Sequence, residues 1–364
     1  MKGMKKLLVA SDSFKGTLSS KEIVSICKKV ISESFSSSWS LDCQLIADGG
    51  EGTLDAFASL KKWKRIPVET FDAELSPIEA PILVDGEGNA VIEVASVIGL
   101  PLIKNVLDPV HRTTKGLGIL VEKAVELGAK KIYVGLGGSS TNDLGMGMLR
   151  ELGVRFNPIE NPDMSNALGI KEIDLSRFLL KGKGIEFVCL SDVKNPLLGE
   201  NGATYVYGPQ KGYGKMLGDL EKKAARLSSL YEKAASKSLQ GVPGLGAAGG
   251  LGAAFYAFMG ATMKSGIEEI LSLSHFKERA ASADLVITGE GSFDEQSFQG
   301  KVYSGISKCV DPNKLIVLCG RSEIKNPKIK IYETSKEGAS FEWIKQHAKE
   351  GYQETLRSIL KEHE

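Results

Sequence analysis

Ala47-Asp48-Gly49-Gly50-Glu51-Gly52-Thr53 follows a short apolar run, Leu45-Ile46-Ala47, and leads into Leu54-Asp55-Ala56-Phe57, which reads as a helix start. Three glycines let the backbone turn sharply and bring N–H groups close to a ligand. A helix starting just after them offers unpaired N–H groups and a positive dipole end to an anion. Asp48 and Glu51 would repel a bare phosphate. They would accept a phosphate that arrives with Mg²⁺, because that metal takes hard oxygen ligands and shares them with phosphate. The other reading of the same heptapeptide is a tight surface turn whose acids favour a helix N-terminus.

Working outward, Lys5 to Ala10 reads as a buried parallel strand, followed by the polar loop Ser11-Asp12-Ser13-Phe14-Lys15-Gly16-Thr17. Ser19 or Ser20 caps the next helix, whose buried face carries Ile23, Val24, Ile26 and Cys27. A strand near Cys43 to Ala47 delivers the opening loop. A helix to about Lys62 and a strand near Lys64 to Val68 then complete a β-α-β-α-β unit. Ligands of such open sheets bind beyond the carboxyl ends of the strands, which is where Asp12, Lys15, Asp48 and Glu51 fall.

Three further loops repeat this grammar of apolar strand, glycines with an acid or amide, then helix. They are Gly135-Leu136-Gly137-Gly138-Ser139-Ser140-Thr141-Asn142-Asp143, Ser191-Asp192 with Asn195-Pro196, and Gly289-Glu290-Gly291-Ser292-Phe293-Asp294. Together they supply N–H donors for phosphate, carboxylates for Mg²⁺ and a candidate base, the parts phosphoryl transfer requires. Two familiar nucleotide signatures are missing: there is no P-loop, and no GxGxxG follows the first strand.

Composition narrows the class. With 364 residues, two domains are expected. The 46 basic residues nearly cancel the 45 acidic ones, and no basic stripe points to nucleic acid. The apolar stretch from Ala247 to Met263 is too short and Gly-rich for a membrane span. No signal peptide is read at the N-terminus. Five cysteines without CxxC spacing fit reduced thiols in a cytoplasmic protein, and four histidines leave little for a triad or zinc centre.

The motifs, taken in order, resemble those of the bacterial glycerate kinase family, type 1. They are Asp12-Ser13-Phe14-Lys15-Gly16, the Ala47–Thr53 loop, Gly137 to Asp143, Ser191-Asp192 with Asn195-Pro196-Leu197, Gly208-Pro209-Gln210-Lys211-Gly212, the Gly246–Gly252 run, and Ile287 to Gly291 with Asp294 and Gly300-Lys301. The resemblance implies ATP-dependent phosphorylation of D-glycerate with Mg²⁺, the 2-phosphate being favoured over the 3-phosphate. It also implies two α/β domains. One is Rossmann-like and built from both chain ends (1–70 and 283–364); the other is a larger inserted mixed α/β domain (71–282). The active site is expected in the cleft between them.

On this resemblance Lys15, Asp192 and Asp294 are the catalytic candidates, the two aspartates sharing the roles of base and metal ligand. Asp12, Asp48, Gly49, Gly50, Glu51, Gly137, Gly138, Ser139, Thr141, Asn142, Asp143, Asn195, Lys211 and Glu290 are the substrate- and phosphate-binding candidates. Asn142, Asp143 and Asn195 read equally well as turn-stabilising residues. The expected partners are small molecules only, with the chain acting as monomer or homodimer. A kinase for a related small sugar acid, or a non-catalytic sugar-acid or nucleotide sensor, are the alternatives. The chain departs from the family pattern at Ser11 (commonly proline), Leu144 (usually glycine), Ser292 (often arginine) and His111-Arg112 with Lys115. Arg112, Lys115 and Arg321 are the cations available to replace an arginine at 292.

Overall fold

The computed structural model describes residues 3–14, 16–298, 302–324, 328–336 and 338–364. Lys15 and the Gly300-Lys301 pair therefore lie outside the described residues. The chain forms two compact units, Met1–Ala47 with Ile267–Glu364, and Asp48–Gly266.

The first unit is organised by a five-stranded sheet in the order Lys330–Glu333, Leu315–Cys319, Leu285–Thr288, Lys5–Val9, Trp39–Cys43, with every neighbouring pair parallel. Leu285–Thr288 and Leu315–Cys319 are buried throughout, as central parallel strands must be when both faces are covered. The helices Ser20–Val30 and Phe341–Glu362 place Ile23, Cys27, Tyr352 and Leu356 in one core with Leu7, Val9 and Ile287. Ser19 starts the first of these with a capping box: its hydroxyl accepts the Glu22 N–H and the Glu22 carboxylate accepts the Ser19 N–H.

The sheet reverses its winding direction at Lys5–Val9, which has Trp39–Cys43 on one side and Leu285–Thr288 on the other. At this switch point the following loops meet main chain to main chain. The Asp12 N–H donates to the Gly289 carbonyl at 2.9 Å, and the Ser11 hydroxyl, at a position where the family commonly has proline, reaches the same carbonyl at 3.0 Å.

The second unit holds a six-stranded sheet in the order Thr262–Lys264, Glu186–Leu190, Lys131–Gly135, Asn89–Glu93, Pro77–Val84, Lys64–Phe71. The first four strands run parallel and the last two are antiparallel additions. Lys64–Phe71 thus does not complete a β-α-β-α-β unit with Lys5–Val9. The next strand begins after only residues 72–76, too few for a crossover, so a hairpin results. Asp72 fixes that turn by accepting the N–H groups of Glu74 (2.8 Å) and Ser76 (2.9 Å).

Two other expectations shift. The second strand is Trp39–Cys43, not Cys43 to Ala47: Gln44 makes one last bond to the Val9 carbonyl, and its side chain is then held by Arg279 at 2.6 Å. The Gly/Ala-rich helix Ala247–Met259 is broken at its start by three successive left-handed residues, Ala248, Gly249 and Gly250.

Ser19→Ala should destabilise the first unit by about 1 kcal/mol, read as a lower denaturant midpoint, while Ser19→Asp should stay near wild type. Equal midpoints for all three proteins would show that the capping box is not holding this helix.

Candidate functional site

The loops that end the parallel strands of the second unit enclose a pocket of about 140 Å³. Its lining includes Asp48, Gly137, Ser139, Asp192, Gln210 and Lys211. Glycine makes this convergence possible. The Gly137 N–H donates to the Gly49 carbonyl at 2.9 Å, and a Cβ on Gly137 would lie 2.4 Å from the Gly50 Cα. No side chain fits there, so the Asp48 loop lies directly on the Gly137–Gly138 loop. Asp48 shapes its own turn by accepting the Gly50 N–H at 2.9 Å.

Lys211 is the buried cation of the pocket, 3 % exposed. It sits in the short turn Pro209–Lys211, and its Nζ donates to the Ser139 hydroxyl at 2.9 Å and the Thr141 carbonyl at 2.7 Å. Burial pushes its ammonium down to about 7, against the opposing pull of the Asp143 carboxylate. Because the Ser139 oxygen accepts from Lys211, its own proton is left to donate to another acceptor.

Several expected ligand contacts have internal partners instead. Asp143 is buried, and burial raises its carboxyl, yet both its oxygens are occupied. They accept from the Thr114 N–H and hydroxyl (2.9 and 2.8 Å) and from the N–H groups of Gly145 and Gly147 (3.1 Å each). Asp143 therefore starts the helix Met146–Glu151 and ties it to Thr114. Asn195 is spanned by the Asn201 carbonyl (2.8 Å) and the Tyr207 hydroxyl (2.6 Å). Thr141 and Asn142 are fully buried but differ from these: the Thr141 hydroxyl and the Asn142 amide oxygen have no hydrogen-bond partner among the described residues. Arg112 is also buried and donates to the Lys211 carbonyl at 2.7 Å, while Lys115 lies over the Phe71 ring at 4.8 Å. Glu51 is exposed.

Leu144, where the family usually has glycine, carries φ 50°, the left-handed conformation a glycine would adopt at no cost. It holds that shape because its side chain is buried, its N–H reaches the Gly249 carbonyl (3.1 Å) and its carbonyl accepts the Tyr231 hydroxyl (3.0 Å).

In the first unit, Asp12, Glu290 and Asp294 lie on the two switch-point loops, and Asp12 accepts the Ser13 N–H at 2.7 Å. Asp294 accepts the Gln296 N–H at 2.8 Å. Ser292 is in register with Arg321 on a short parallel ladder, so an exposed arginine neighbours the position where the family often carries one.

Sequence reasoning left Glu93 and Gln210 out. Gln210 lay inside a quoted motif but had no chemistry to single it out. Glu93 ends a buried strand, and its carboxylate accepts the Leu54 N–H at 3.0 Å at the start of the helix Thr53–Leu60. Burial pushes it up to about 7, helped by the charges of Asp55 and Glu51.

Among the described residues no group of three His, Cys, Asp or Glu is placed to hold a metal ion. An all-protein cage is not what Mg²⁺ requires in a kinase, where one or two carboxylates act together with phosphate oxygens. Asp48 and Asp192, the carboxylates lining the pocket, are hard oxygen donors of that kind.

The glycerate kinase family model matches residues 7–363, nearly the whole length. The chain belongs to the glycerate kinase family. It is an ATP-dependent kinase. Over 311 residues it is 36% identical to the glycerate 2-kinase of Escherichia coli K12, covering 83% of this chain and 81% of that protein. It is 32% identical to the glycerate kinase of Bacillus subtilis 168 over 335 residues, covering 90% and 87%. A crystal structure from Salmonella typhimurium LT2, of a protein provisionally named glycerate kinase 2, superposes with a TM-score of 0.82 at 31% identity. That match covers 98% of this chain and 97% of the other.

The two buried titrating groups have opposite effects on stability. Glu93 is raised from 4.5 to about 7, so its contribution is present at low pH and is lost as pH rises through 7. Lys211 is lowered from 10.5 to about 7, so the unfolded chain binds more protons between those values and stability rises with pH there. Glu93→Gln should therefore gain melting temperature over wild type at pH 8 and not at pH 5. Lys211→Met should gain most at or below pH 7, the gain shrinking towards pH 10. Differences that do not vary with pH would show that neither group is held in its shifted state.

Proposed function

We propose that this protein is a type 1 glycerate kinase that transfers the ATP γ-phosphate to the 2-hydroxyl of D-glycerate. The observation that carries the reading is the pocket itself, where the carboxylates of Asp48 and Asp192 share one lining with the Ser139–Lys211 pair. Acids alone would repel an anionic substrate, and cations alone would leave no base or metal ligand. The 2-position is favoured because the relative from E. coli is named a glycerate 2-kinase.

In this reading Lys211 and the Ser139 hydroxyl bind an anionic oxygen of the substrate, as charge-assisted and neutral donors respectively. Asp48, Gly49 and Gly50 supply a turn whose shape is fixed by the Gly137 contact. Glu51, Asp12, Glu290 and Lys15 remain assigned to phosphate or substrate on the family resemblance. Asp192 and Asp294 divide the work of accepting the hydroxyl proton and binding metal. Mg²⁺, held by the aspartate that does not take the proton, would neutralise charge on the transferring phosphate. Asp143 and Asn195 act by holding these loops in place, while Thr141 and Asn142, whose buried side-chain oxygens have no partner among the described residues, remain assigned to substrate or phosphate on the family resemblance. We place the enzyme in the cytoplasm, acting as monomer or homodimer; its five cysteines are free, and no described helix is long and apolar enough to cross a membrane.

A coupled ADP assay with D-glycerate, ATP and Mg²⁺ should show turnover, and phosphorus NMR should show the 2-phosphate. Turnover confined to another acid in a substrate panel would favour the related-acid kinase, and ATP binding without turnover would favour a sensor. Asp192→Asn and Asp294→Asn should each lower kcat by about 10²-fold. Near-normal rates in both would remove them from the mechanism.

A further inference from the structure

Lys211 carries two separate sets of bonds, one at its ammonium and one at its main chain. The ammonium meets Ser139 and Thr141. The main-chain carbonyl accepts from Arg112 Nη1 at 2.7 Å. The same guanidinium donates through Nη2 to the Asn105 side chain at 3.1 Å, and its Nε lies 3.6 Å from the Glu74 carboxylate. Arg112 and Glu74 are both buried, their side chains 3% and 0% exposed. Glu74 is itself built in, accepting the N–H groups of Lys104 (2.9 Å) and Leu107 (3.4 Å). A buried ion pair is a costly way to gain stability, because desolvation offsets its attraction. It does specify one geometry. A planar fork that must meet Lys211, Asn105 and Glu74 together has little freedom to shift.

The segment that carries Arg112 also reaches the acid that faces Lys211. Thr114, two residues on, donates twice to Asp143. The Tyr213 hydroxyl, from beyond the Lys211 turn, donates to the Pro109 carbonyl at 2.9 Å. Residues 104–114 therefore hold the Lys211 turn at two points and the Asp143 loop at a third.

We propose that Arg112, seated on Glu74, is a positioning residue that sets where the Lys211 ammonium stands in the pocket, without itself touching substrate. The role of Lys211 towards substrate rests on the function proposed above; the positioning itself does not. The charged and titratable groups around Lys211 are Asp143, Arg112, Tyr213, the Asp48, Asp192 and Tyr207 side chains of the pocket lining and, through Arg112, Glu74. Losing the clamp lets the turn drift outward and water reach the ammonium, so its titration moves back towards that of an ordinary lysine.

The test is ¹³C NMR of the intact protein labelled with [ε-¹³C]lysine, with the Lys211 signal assigned by its loss in Lys211→Met. In both Arg112→Gln and Arg112→Lys the Lys211 midpoint should rise by about one unit or more. Arg112→Lys separates position from charge: it keeps the positive charge but cannot donate to both Lys211 and Asn105 while standing beside Glu74, so it should fail to restore the wild-type midpoint. With glycerate turnover, KM for the acid should rise about tenfold in both variants and kcat should change less. A midpoint that Arg112→Lys restores, or that neither variant moves in a cooperatively melting protein, overturns the proposal. If the Arg112 variants do not fold, Asn105→Gly loosens the fork at an exposed residue whose φ of 58° already suits glycine. A smaller shift in the same direction then supports the proposal, and none overturns it. Absence of glycerate turnover with the midpoint shift intact would reject the proposed function and leave the positioning role standing.

Discussion

The pocket depends on one backbone contact, the Gly137 N–H on the Gly49 carbonyl with no room for a Cβ between the two loops. Around it the same constraint recurs. A Cβ on Gly49 would meet the Leu190 carbonyl oxygen at 2.3 Å, and one on Gly266 would meet the Asp48 main chain at 2.4 Å. The ends of three parallel strands and the Asp48 turn thus stack as bare main chain. Side chains at the rim, including Asp48, Ser139 and Asp192, are thereby brought to one small volume. Glycine is unfavourable in regular structure because it loses the most entropy on folding. Here that cost is offset by a pocket that no bulkier residue could close.

Strain collects beside the same contact. Leu144 and Ala248 both hold left-handed φ values without being glycine, and each lies next to a loop of the pocket. They face each other through Gly249, whose carbonyl accepts the Leu144 N–H and whose Cβ position would fall 2.1 Å from the Thr141 carbonyl oxygen. Backbone in sparsely populated regions persists only where its surroundings over-determine it. The buried Leu144 side chain and the Tyr231 hydroxyl on its carbonyl do that here. A glycine would fit the backbone better, yet would surrender the packing.

Much of this was legible in the sequence, and the limits have physical reasons. Strands such as Leu285–Thr288 and Lys131–Gly135 stand out because a continuous apolar run flanked by glycine has few other solutions. The glycine loops were legible for the same reason. The pairing partner of Lys64–Phe71 was not, since alternation says which face is buried but not which sheet offers it. Nor could a list of polar loop residues be sorted into those facing a ligand and those facing the protein. Asp143 and Asp192 both lie on loops that follow a buried parallel strand. One is enclosed by four donors from Thr114, Gly145 and Gly147, and the other lines the pocket. Only the fold brings Thr114 to Asp143.

Arg112 shows why such sorting changes a mechanism. As a sequence position it was a spare cation, available to meet a phosphate in place of an arginine at 292. In the fold its guanidinium is enclosed and turned onto the Lys211 main chain and Glu74. A buried, always-charged fork cannot leave to meet a substrate without giving up its bonds to Lys211 and Asn105 and its charge partner Glu74. Lys211 is the opposite case. Its ammonium is held near the point of losing its proton by the enclosure that positions it. An anion entering the pocket would favour the charged form and draw the proton back. In the function proposed above, part of the attraction for the substrate is thus stored in a lysine that is costly to bury.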